Sequence, residues 1–280
     1  MNAKTFKLVL LYIILIFITI AILFPIYWTF VVSTKQKVEL LDRRPVLYPT
    51  RILKENYTRP FVKGIYGQYL ANSIIISLGN VVLVLALAIP ATYAFSRFNL
   101  KGEKHIFFWL ITNRMAPPAA FLIPLYLIFS GKLFSFIQLI DTHIVLILTY
   151  CLFNLPFAIW LLRGTLDGIP VELDEAALVD GASHLGILWK IIIPLAKPTI
   201  AVAAVLVFLF SWNQMLLASI LTGTRASTIT PGIVKFATMA GTDWGEMAAV
   251  SIVCLLPAFL FLGFTQKYII TGMTFGAMKE

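Results

Sequence analysis

The sequence predicts an all-α membrane protein with six transmembrane helices, and two observations carry this prediction. Apolar residues make up 60% of the 280 residues, and charged residues make up only 12%. The apolar residues also fall into six separate blocks, each close to the roughly 20 residues that a helix needs to cross a bilayer. The longest polar stretch, residues 33–69, is shorter than the about 40 residues below which a domain rarely keeps its own core. We therefore expect residues 1–280 to form a single transmembrane domain.

The six blocks give the expected helices in order along the chain. The predicted spans are residues 8–32, 70–95, 106–130, 143–162, 198–221 and 247–270. The first span follows Lys4 and Lys7 and is too long for the apolar region of a signal peptide, so we expect it to remain as an anchor. Pro117, Pro118 and Pro124 interrupt the third span. Such residues are tolerated at membrane depth where neighbouring helices or water satisfy the freed backbone, which predicts a kinked helix inside the bundle.

The distribution of basic residues leaves the orientation in the membrane open. With the N-terminus inside, the inner segments hold ten basic residues and the outer segments hold eleven, eight of them in residues 33–69. The net charge of +9 and the pI near 9.6 are compatible with an anionic lipid surface. Nucleic acid is not an expected partner, because no basic face is interleaved with aromatic residues outside the membrane.

The cysteines and histidines show no pattern typical of a metal or redox site. Cys151 and Cys254 lie inside apolar blocks without metal-ligand spacing, so we expect them to be small buried residues. His105, His143 and His184 lie at span ends or in a polar stretch, where packing at the membrane interface is the expected role. We expect no metal and no cofactor in this chain.

The most distinctive polar stretch is residues 168–193, between the fourth and fifth predicted spans. Gly168-Ile169-Pro170 predicts a turn, and the helix that follows favours negative charge in its first turn. Gly181 suits a stop at the C-terminal end of that helix. The carboxylates between these two signals are Glu172, Asp174, Glu175 and Asp180. The pattern therefore predicts a short acidic helix that ends in a turn.

This acidic helix has little in its own sequence to stabilise it. Residues 172–180 contain no base and no clean apolar stripe, so the helix gains little from its own side-chain pairs or from a core. We therefore expect its four charges to be satisfied across an interface with another protein, with an ordinary solvated loop as the alternative. Residues 182–193 predict an interfacial helix that leads through Pro194 into the fifth span.

Two patterns in this stretch resemble a known family. Glu175-Ala176-Ala177 is followed after three residues by Gly181 and, after nine more, by Ile191-Ile192-Ile193-Pro194. This resembles the cytoplasmic loop in the permease subunits of bacterial binding-protein-dependent ABC importers, with Ile193 where leucine is usual. Further segments look like the sugar-importing branch and its maltose permease G-like type, namely Asn72-Ser73 and residues 91–98, 123–126, 155–157, 161–164 and 272–279. The resemblance covers nearly the whole chain, from Leu8 to Lys279.

The resemblance implies a type I importer permease fold and a role for each polar segment. Residues 163–197 become a cytoplasmic coupling loop, both termini are cytoplasmic, and the acidic helix sits in a cleft of an ATP-hydrolysing subunit. The outer loop Thr222 to Gly245 reaches a solute-binding protein. The residues that the resemblance assigns to ATPase coupling are Glu172, Asp174, Glu175, Ala176, Ala177, Asp180 and Gly181.

The implied partners supply the energy for transport. The chain has no Gly-x-x-x-x-Gly-Lys-Ser/Thr phosphate loop, so ATP and Mg are expected on partner subunits and the chain itself is not expected to be an enzyme. By resemblance, those partners are a second permease subunit, two ATPase subunits, and a periplasmic or lipid-anchored solute-binding protein. The complex would lie in the bacterial inner membrane, in contact with its lipid.

Polar side chains inside the spans are the candidates for the translocation pathway, because such groups tend to face a cavity and serve function. The candidates are Asn113, Arg114, Asn154, Trp212, Asn213 and Gln214. Aromatic and amide groups would suit a sugar ring. In the alternative interpretation, Asn154 and Gln214 hold helices together and Trp212 packs in a core. Arg114 requires an anion, a carbonyl cluster or water, which leads to the hypothesis of an anionic sugar derivative as solute.

Two other functional classes remain as alternatives. An ion-coupled secondary transporter would work without an ATPase, and transport by this chain alone in proteoliposomes would favour it. A membrane-embedded enzyme would need clustered acids and histidines inside the membrane, and the predicted spans lack them. The sequence therefore favours a permease subunit over both.

Overall fold

The computed structural model describes residues 3–42, 46–49, 51–238 and 241–277. Met278 and Lys279 of the C-terminal tail lie outside the described residues, as do residues 43–45 and 50 of the long polar stretch and residues 239–240 of the 222–245 loop. The described chain is helical apart from two paired strands of two residues each, Ala237–Thr238 and Gly241–Thr242. The predicted all-α membrane fold is confirmed.

Thirteen α-helices follow one another along the described part of the chain. They are α1 Ala3–Ser33, α2 Lys37–Leu40, α3 Glu55–Thr58, α4 Tyr66–Arg97, α5 Glu103–Met115, α6 Leu122–Phe129, α7 His143–Leu166, α8 Glu172–Val179, α9 His184–Ile187, α10 Ile193–Trp212, α11 Leu216–Leu221, α12 Ile229–Val234 and α13 Trp244–Ala277. Among the described residues, five helical segments are long and apolar enough to cross a membrane, and α5 with α6 makes a sixth if the bent pair is one span.

The third predicted span is bent sharply in the structure. α5 and the helical segment Pro118–Phe129 meet at 96°. Ala116 adopts an extended conformation with ψ 132°, because the ring of a following proline disfavours the α-helical region. The segment predicted as one helix over residues 106–130 is therefore two helices joined at a proline pair.

The fifth predicted span also differs from a simple helix. Helical structure begins at His184 and passes through a π-helical turn, Leu188–Ile192, directly into α10. Pro194 follows that turn, and its ring and missing N–H prevent a regular helical bond at this point. At the other end α10 stops at Trp212, and a separate short helix, α11, begins at Leu216. The predicted span 198–221 is thus broken after residue 212.

The chain divides into two compact units, of which the first contains residues 1–68 and 232–256. In this unit Asn56 is buried, and its Nδ2 donates to the backbone oxygens of Ser33 and Lys35, each at 2.9 Å. Ser33 Oγ and the Tyr57 hydroxyl lie 2.6 Å apart. A Cβ atom at Gly245 would lie 2.6 Å from Asn56 Nδ2, so glycine allows this close packing. These bonds join the end of α1 to α3.

The second unit contains residues 69–231 and 257–280 and has α7 at its centre. α7 packs against α5, α10 and α11. Its core includes Leu146, Tyr150 and Phe153 of α7 together with Ile76 of α4 and Leu217 of α11. α8, the breaks in the third and fifth predicted spans and residues 222–229 all lie in this unit.

Candidate functional site

The acidic helix is α8, and it begins after Pro170 as the sequence predicts. Glu172, Asp174 and Glu175 occupy its first turn, where the unpaired N–H groups of the backbone favour negative charge. Glu172, Glu175 and Asp180 are exposed, and their carboxylates make no hydrogen bond or ion pair within the described part of the chain. Three of the four predicted coupling carboxylates are therefore available to a partner.

Gly181 ends α8 in a left-handed conformation, with φ +86°. The Gly181 N–H donates to the oxygen of Leu178 at 3.0 Å, and the Ala182 N–H donates to the oxygen of Ala177 at 2.9 Å. These two bonds satisfy carbonyl groups that a helix end leaves unpaired. A Cβ atom at this position would meet no atom within 4 Å, so the backbone angle and not space requires glycine. The predicted glycine stop is confirmed.

The two alanines of the pattern lie on different sides of α8. Ala176 is exposed, while Ala177 is half-buried against a cluster that includes Tyr93, Leu166 and Ile187. The small side chain of Ala177 lets the helix lie close to this cluster. On the exposed side, Ala176 adds only a methyl group, so its side chain does not block access to the helix backbone.

Asp174 behaves differently from the other three carboxylates. It is 5% exposed, and Arg97 Nε, at the end of α4, donates to Asp174 Oδ2 at 2.6 Å. The sequence-based expectation that all four charges lack a partner within the chain is therefore wrong for Asp174. The physical reason is that Arg97 lies 77 residues earlier in the sequence and is brought to α8 only by the tertiary fold.

Arg97 holds three elements with one guanidinium group. Besides Asp174, it donates from Nη1 to the oxygen of Leu166 at 3.3 Å and from Nη2 to the oxygen of Ile169 at 3.0 Å. Leu166 is the last residue of α7, and Ile169 belongs to the connection between α7 and α8. Removing one member of a buried, hydrogen-bonded pair leaves an uncompensated charge and costs about 3–5 kcal/mol. This pair therefore fixes α8 against the ends of α4 and α7.

A cavity of about 350 Å³ lies within the second unit. Four of the six predicted pathway residues line it, namely Arg114, Asn154, Asn213 and Gln214. The remaining lining includes Tyr150, Phe153 and Phe210, which the sequence did not single out. The cavity adjoins both helix breaks described above, because Arg114 and Pro118 flank the first and Asn213 and Gln214 form the second. The combination of aromatic faces, amides and one guanidinium suits a hydroxylated, ring-shaped solute.

Arg114 is stabilised by groups of the protein itself. Its Nη1 donates to the oxygen of Phe153 at 3.4 Å, and its guanidinium carbon lies 4.6 Å from the ring centre of Phe210 and 5.4 Å from that of Phe157. Aromatic faces attract a cation through their negative quadrupole. These contacts supply the carbonyl and aromatic partners that the charge needs. An anionic solute is therefore not required to explain Arg114.

Asn154 is an interhelical link as well as a cavity residue. Its Nδ2 donates to Asn80 Oδ1 on α4 at 2.9 Å and to Ser211 Oγ on α10 at 3.1 Å, and Ser211 Oγ donates to the same Asn80 oxygen at 3.0 Å. Asn80 in turn donates to the oxygen of Ile147 on α7 at 2.8 Å. All three polar side chains are buried. The network joins three helices, which is the alternative role considered for Asn154.

The two remaining pathway candidates do not line the cavity. Trp212 is 5% exposed and stacks on Phe208, with their ring centres 5.5 Å apart, and Phe208 also stacks on Phe261 at 4.4 Å. The amide of Asn113 donates to the oxygen of Trp109 in its own helix at 3.1 Å. Ring packing is the alternative role considered for Trp212, and a local helix bond occupies the amide of Asn113. The pathway role of these two side chains stays a prediction.

Asp141 is a residue that the sequence reasoning missed. It precedes α7 with φ +60°, an uncommon angle for a residue with a side chain. Its two carboxylate oxygens accept the backbone N–H groups of Gly223, Thr224, Arg225 and Ala226 at 2.8–3.3 Å. Burial alone would raise the pKa of Asp141, but these four donors together outweigh it and hold the pKa below its ordinary value. One side chain thus organises the backbone of residues 223–226.

A second set of contacts holds the same segment, which we name the 222–229 loop. Asn72 Nδ2 donates to the oxygens of Arg225 and Ser227 at 2.8 and 3.0 Å, and the Ile229 N–H donates to Ser73 Oγ at 2.8 Å. His143 Nε2 lies 2.8 Å from Asn72 Oδ1 and orients the amide. Asn72-Ser73 is one of the segments that carry the family resemblance, and this contact gives the pair a physical role.

Comparisons with known proteins agree with the architecture. Residues 85–274 match the family model described as "Binding-protein-dependent transport system inner membrane component". The chain is 33% identical over 286 residues to the trehalose/maltose transport system permease protein MalG of Thermococcus litoralis, covering 100% of this chain and 99% of that one. It is 35% identical over 262 residues to the trehalose transport system permease protein SugB of Mycobacterium tuberculosis, covering 92% of each.

Two further matches extend the comparison. The diacetylchitobiose uptake system permease protein DasC of Streptomyces coelicolor is 28% identical over 261 residues, which cover 93% of each chain. A chain from the crystal structure of a bacterial ABC transporter involved in the import of the acidic polysaccharide alginate superimposes with a TM-score of 0.80. That match covers 96% of this chain and 98% of the other at 22% identity, and it establishes the similarity of the fold.

Replacement of Asp141 by asparagine is predicted to loosen the 222–229 loop. Asparagine keeps one acceptor oxygen but loses the charge, and a hydrogen bond to a charged group contributes about 1.5–3 kcal/mol. We expect amide hydrogen exchange at Gly223 and Ala226 to accelerate about 10- to 100-fold, measured by mass spectrometry. Asp243→Asn is the matched control, because the Asp243 carboxylate accepts one backbone bond, from the N–H of Glu246 at 3.3 Å. Equal exchange in Asp141→Asn and the wild type would contradict the anchor.

The same anchor predicts a defined pH dependence. The pKa of Asp141 in the folded protein lies below its ordinary value of 3.8, so its contribution to loop stability is fully present above that value. The contribution is lost as the pH falls through the lower, folded-state pKa. Exchange in the loop should therefore rise in acid in the wild type, after correction for intrinsic exchange, and this rise should be absent in Asp141→Asn. An identical acid response in both proteins would show that another group is responsible.

Proposed function

Because the chain belongs to the family of inner-membrane components of binding-protein-dependent transport systems, we propose that it is the permease subunit of an ATP-driven importer for a sugar or sugar derivative. The chain is a multi-pass inner-membrane permease whose role is transport. The sugar class is supported by relatives that are named for trehalose, maltose or diacetylchitobiose. The permease family works together with ATPase subunits, a second permease and a solute-binding protein.

The observation that carries the proposal is the exposed face of α8. Glu172, Glu175 and Asp180 are exposed without a partner in the described chain, and Val179 beside them is 88% exposed. Leu178 of the same helix is exposed as well, and neighbouring exposed apolar side chains rimmed by charged groups are typical of a surface that another protein covers. We assign this surface to docking in a cleft of the ATPase subunit, whose basic groups would meet the three carboxylates.

The energy for transport would come from the partners. The sequence has no phosphate loop of its own, so ATP and Mg are assigned to two ATPase subunits. A coupled movement requires that the ATP-bound and ATP-free partners contact α8 differently. Residues 163–197 form the coupling loop in this proposal, and that loop and both chain termini lie on the cytoplasmic side.

The cavity is proposed to be this subunit's half of the translocation pathway. Arg114, Asn213 and Gln214 line it, and its ring faces come from Tyr150 and Phe210. A sugar ring can stack on such faces and form hydrogen bonds to the amides. The second permease chain would supply the other wall. On this assignment residues 1–280 work as one transmembrane domain.

The 222–229 loop is proposed to meet the solute-binding protein on the opposite side of the membrane. Gly223, Thr224 and Arg225 are exposed, whereas residues 226–229 are buried by the contacts described above. A loop whose base is fixed and whose tip is exposed can dock without a large loss of conformational entropy. An ion-coupled transporter that works alone is the alternative function, and it gives the exposed face of α8 no role.

Impermeant thiol labelling of intact cells tests the orientation. In a protein with Cys151 and Cys254 replaced, we expect a cysteine at Lys54 to react from outside. A cysteine at Ser183 should react only after the cells are opened. The matched control is a cysteine at Val62, which lies on the same side as Lys54 in this topology and is 78% exposed. The reverse pattern would remove α8 from the cytoplasm and contradict the coupling proposal.

Two substitutions, one in α8 and one in the turn that ends it, are predicted to uncouple the complex. Glu175→Lys reverses an exposed charge, and Gly181→Val forces a β-branched residue into a left-handed backbone angle. We expect normal membrane insertion of each variant. The amount of bound ATPase subunit, or its stimulation by the loaded binding protein, should fall at least tenfold.

The controls for this experiment distinguish an effect at the ATPase-docking surface from a general loss of folding. Glu55→Lys reverses an exposed charge in α3, and Gly102→Val forces the same side chain into a left-handed angle, φ +77°, just before α5, where no atom lies within 4 Å of the new Cβ. Bound ATPase subunit, stimulated hydrolysis and uptake should stay near wild-type values in both controls. Wild-type values in Glu175→Lys and Gly181→Val as well would show that α8 is not where the ATPase acts.

A further inference from the structure

We propose that α4 transmits movement between the acidic helix α8 and the 222–229 loop, with Arg97 as the positioning residue that connects α8 to it. This inference rests on the proposed function and adds a route for the coupling within the chain. It depends on three sets of buried polar contacts, one near each end of α4 and one between them.

At the first end, Arg97 makes α8 part of a rigid joint. Its side chain and that of Asp174 are each 6% exposed, so solvent does not compete for the ion pair. The same guanidinium binds the end of α7 and the connection that follows it, through the oxygens of Leu166 and Ile169. A planar guanidinium with several donors fixes direction as well as distance. A displacement of α8 is therefore passed to the end of α4 instead of being absorbed by the connection.

The other end of α4 holds the 222–229 loop in a similar way. Asn72 binds the oxygens of Arg225 and Ser227, and Ser73 accepts the N–H of Ile229. Both side chains are buried, at 4% and 2% exposure. Residues 72 and 97 belong to the same helix and are separated by about 38 Å at 1.5 Å per residue. That distance exceeds the roughly 30 Å thickness of the hydrocarbon core.

Between the two ends, Asn80 connects α4 to the helices that line the cavity. Its amide bonds to Asn154 and Ser211 and to the oxygen of Ile147, and its side chain is fully buried. Buried hydrogen bonds of this kind are either made or broken, because a half-made bond in an apolar surrounding is costly. A shift of α4 relative to α7 or α10 would therefore rearrange the bonds beside the cavity. This places the solute site on the route between the two ends.

The first test measures whether α8 and the end of α4 move together. Spin labels at Lys101 and at Val171, whose backbone oxygen accepts the N–H groups of Asp174 and Glu175 in the first turn of α8, report the distance between the two segments by pulsed electron resonance in a complex lacking Cys151 and Cys254. The complex includes the ATPase subunits, and the probe is ATP with vanadate. We expect the distance distribution to stay the same on trapping. A shift larger than the width of the distribution would show that α8 moves independently of α4 and would overturn the proposal.

The second test measures transmission to the opposite end. A spin label at Thr224 should change its mobility when ATP and vanadate trap the wild-type complex. The double variant Arg97→Met with Asp174→Leu replaces the buried pair by apolar groups of similar size, which buried ion pairs tolerate without loss of folding. We expect the change in mobility to fall at least fivefold in this variant and in Asp174→Asn, per bound ATPase subunit. Arg59→Gln removes an arginine from a surface ion pair and should behave like the wild type.

The outcomes separate this inference from the proposed function. An undiminished response at Thr224 in the double variant would show that the pair only supports folding, and the inference would fail. Absence of a response in the wild type, with ATPase subunits bound and hydrolysing ATP, would also overturn the inference but leave the importer function intact. If no ATPase subunit bound to the wild-type chain, the proposed function itself would fail.

Discussion

A polar group inside a bundle of apolar helices needs a partner from the protein, because neither lipid nor hydrocarbon side chains replace the hydrogen bonds of water. In the second unit two groups of buried polar side chains meet this requirement through partners that lie far apart in the sequence. Asn80, Asn154 and Ser211 bond to one another across three helices, and Arg97 bonds to Asp174 Oδ2 and to backbone oxygens at the end of α7 and in the connection that follows it. The positions of the helices in this unit depend on these bonds. They also give directional contacts to a core whose other contacts are apolar and non-directional.

The need of a buried polar group for a partner also explains why the two sides of α8 differ. One carboxylate, Asp174, is buried and paired, while Glu172, Glu175 and Asp180 remain exposed. A short helix with few contacts of its own would be marginal in isolation. Its buried side ties it to α4 and α7, which leaves the exposed side free to bind without having to hold the helix in place. An acidic helix can therefore serve as a docking element although its own sequence stabilises it weakly.

Local patterns in the sequence predicted local structure well. The start of α8 after Pro170 and its end at Gly181 follow from turn and capping rules that involve only neighbouring residues. The partner of Asp174 could not be predicted, because Arg97 lies 77 residues away and only the packing of α4 against α8 brings the two together. The same holds for Asp141, whose four donors lie 82–85 residues later. The break at Asn213 and Gln214 contains neither proline nor glycine, so hydropathy alone gave no sign of it.

The two helix breaks next to the cavity have a consequence for how such a chain can change its solute. A helix that ends at membrane depth leaves backbone carbonyl and amide groups for other partners, and α5 and α10 both end beside the cavity. Polarity that comes from the main chain does not depend on which side chains are present. If the cavity is the solute pathway, as proposed above, exchanging a few side chains in the lining would alter selectivity while these main-chain groups stay in place. On that proposal, a scaffold of this kind can diversify during evolution without passing through variants that have lost the pathway.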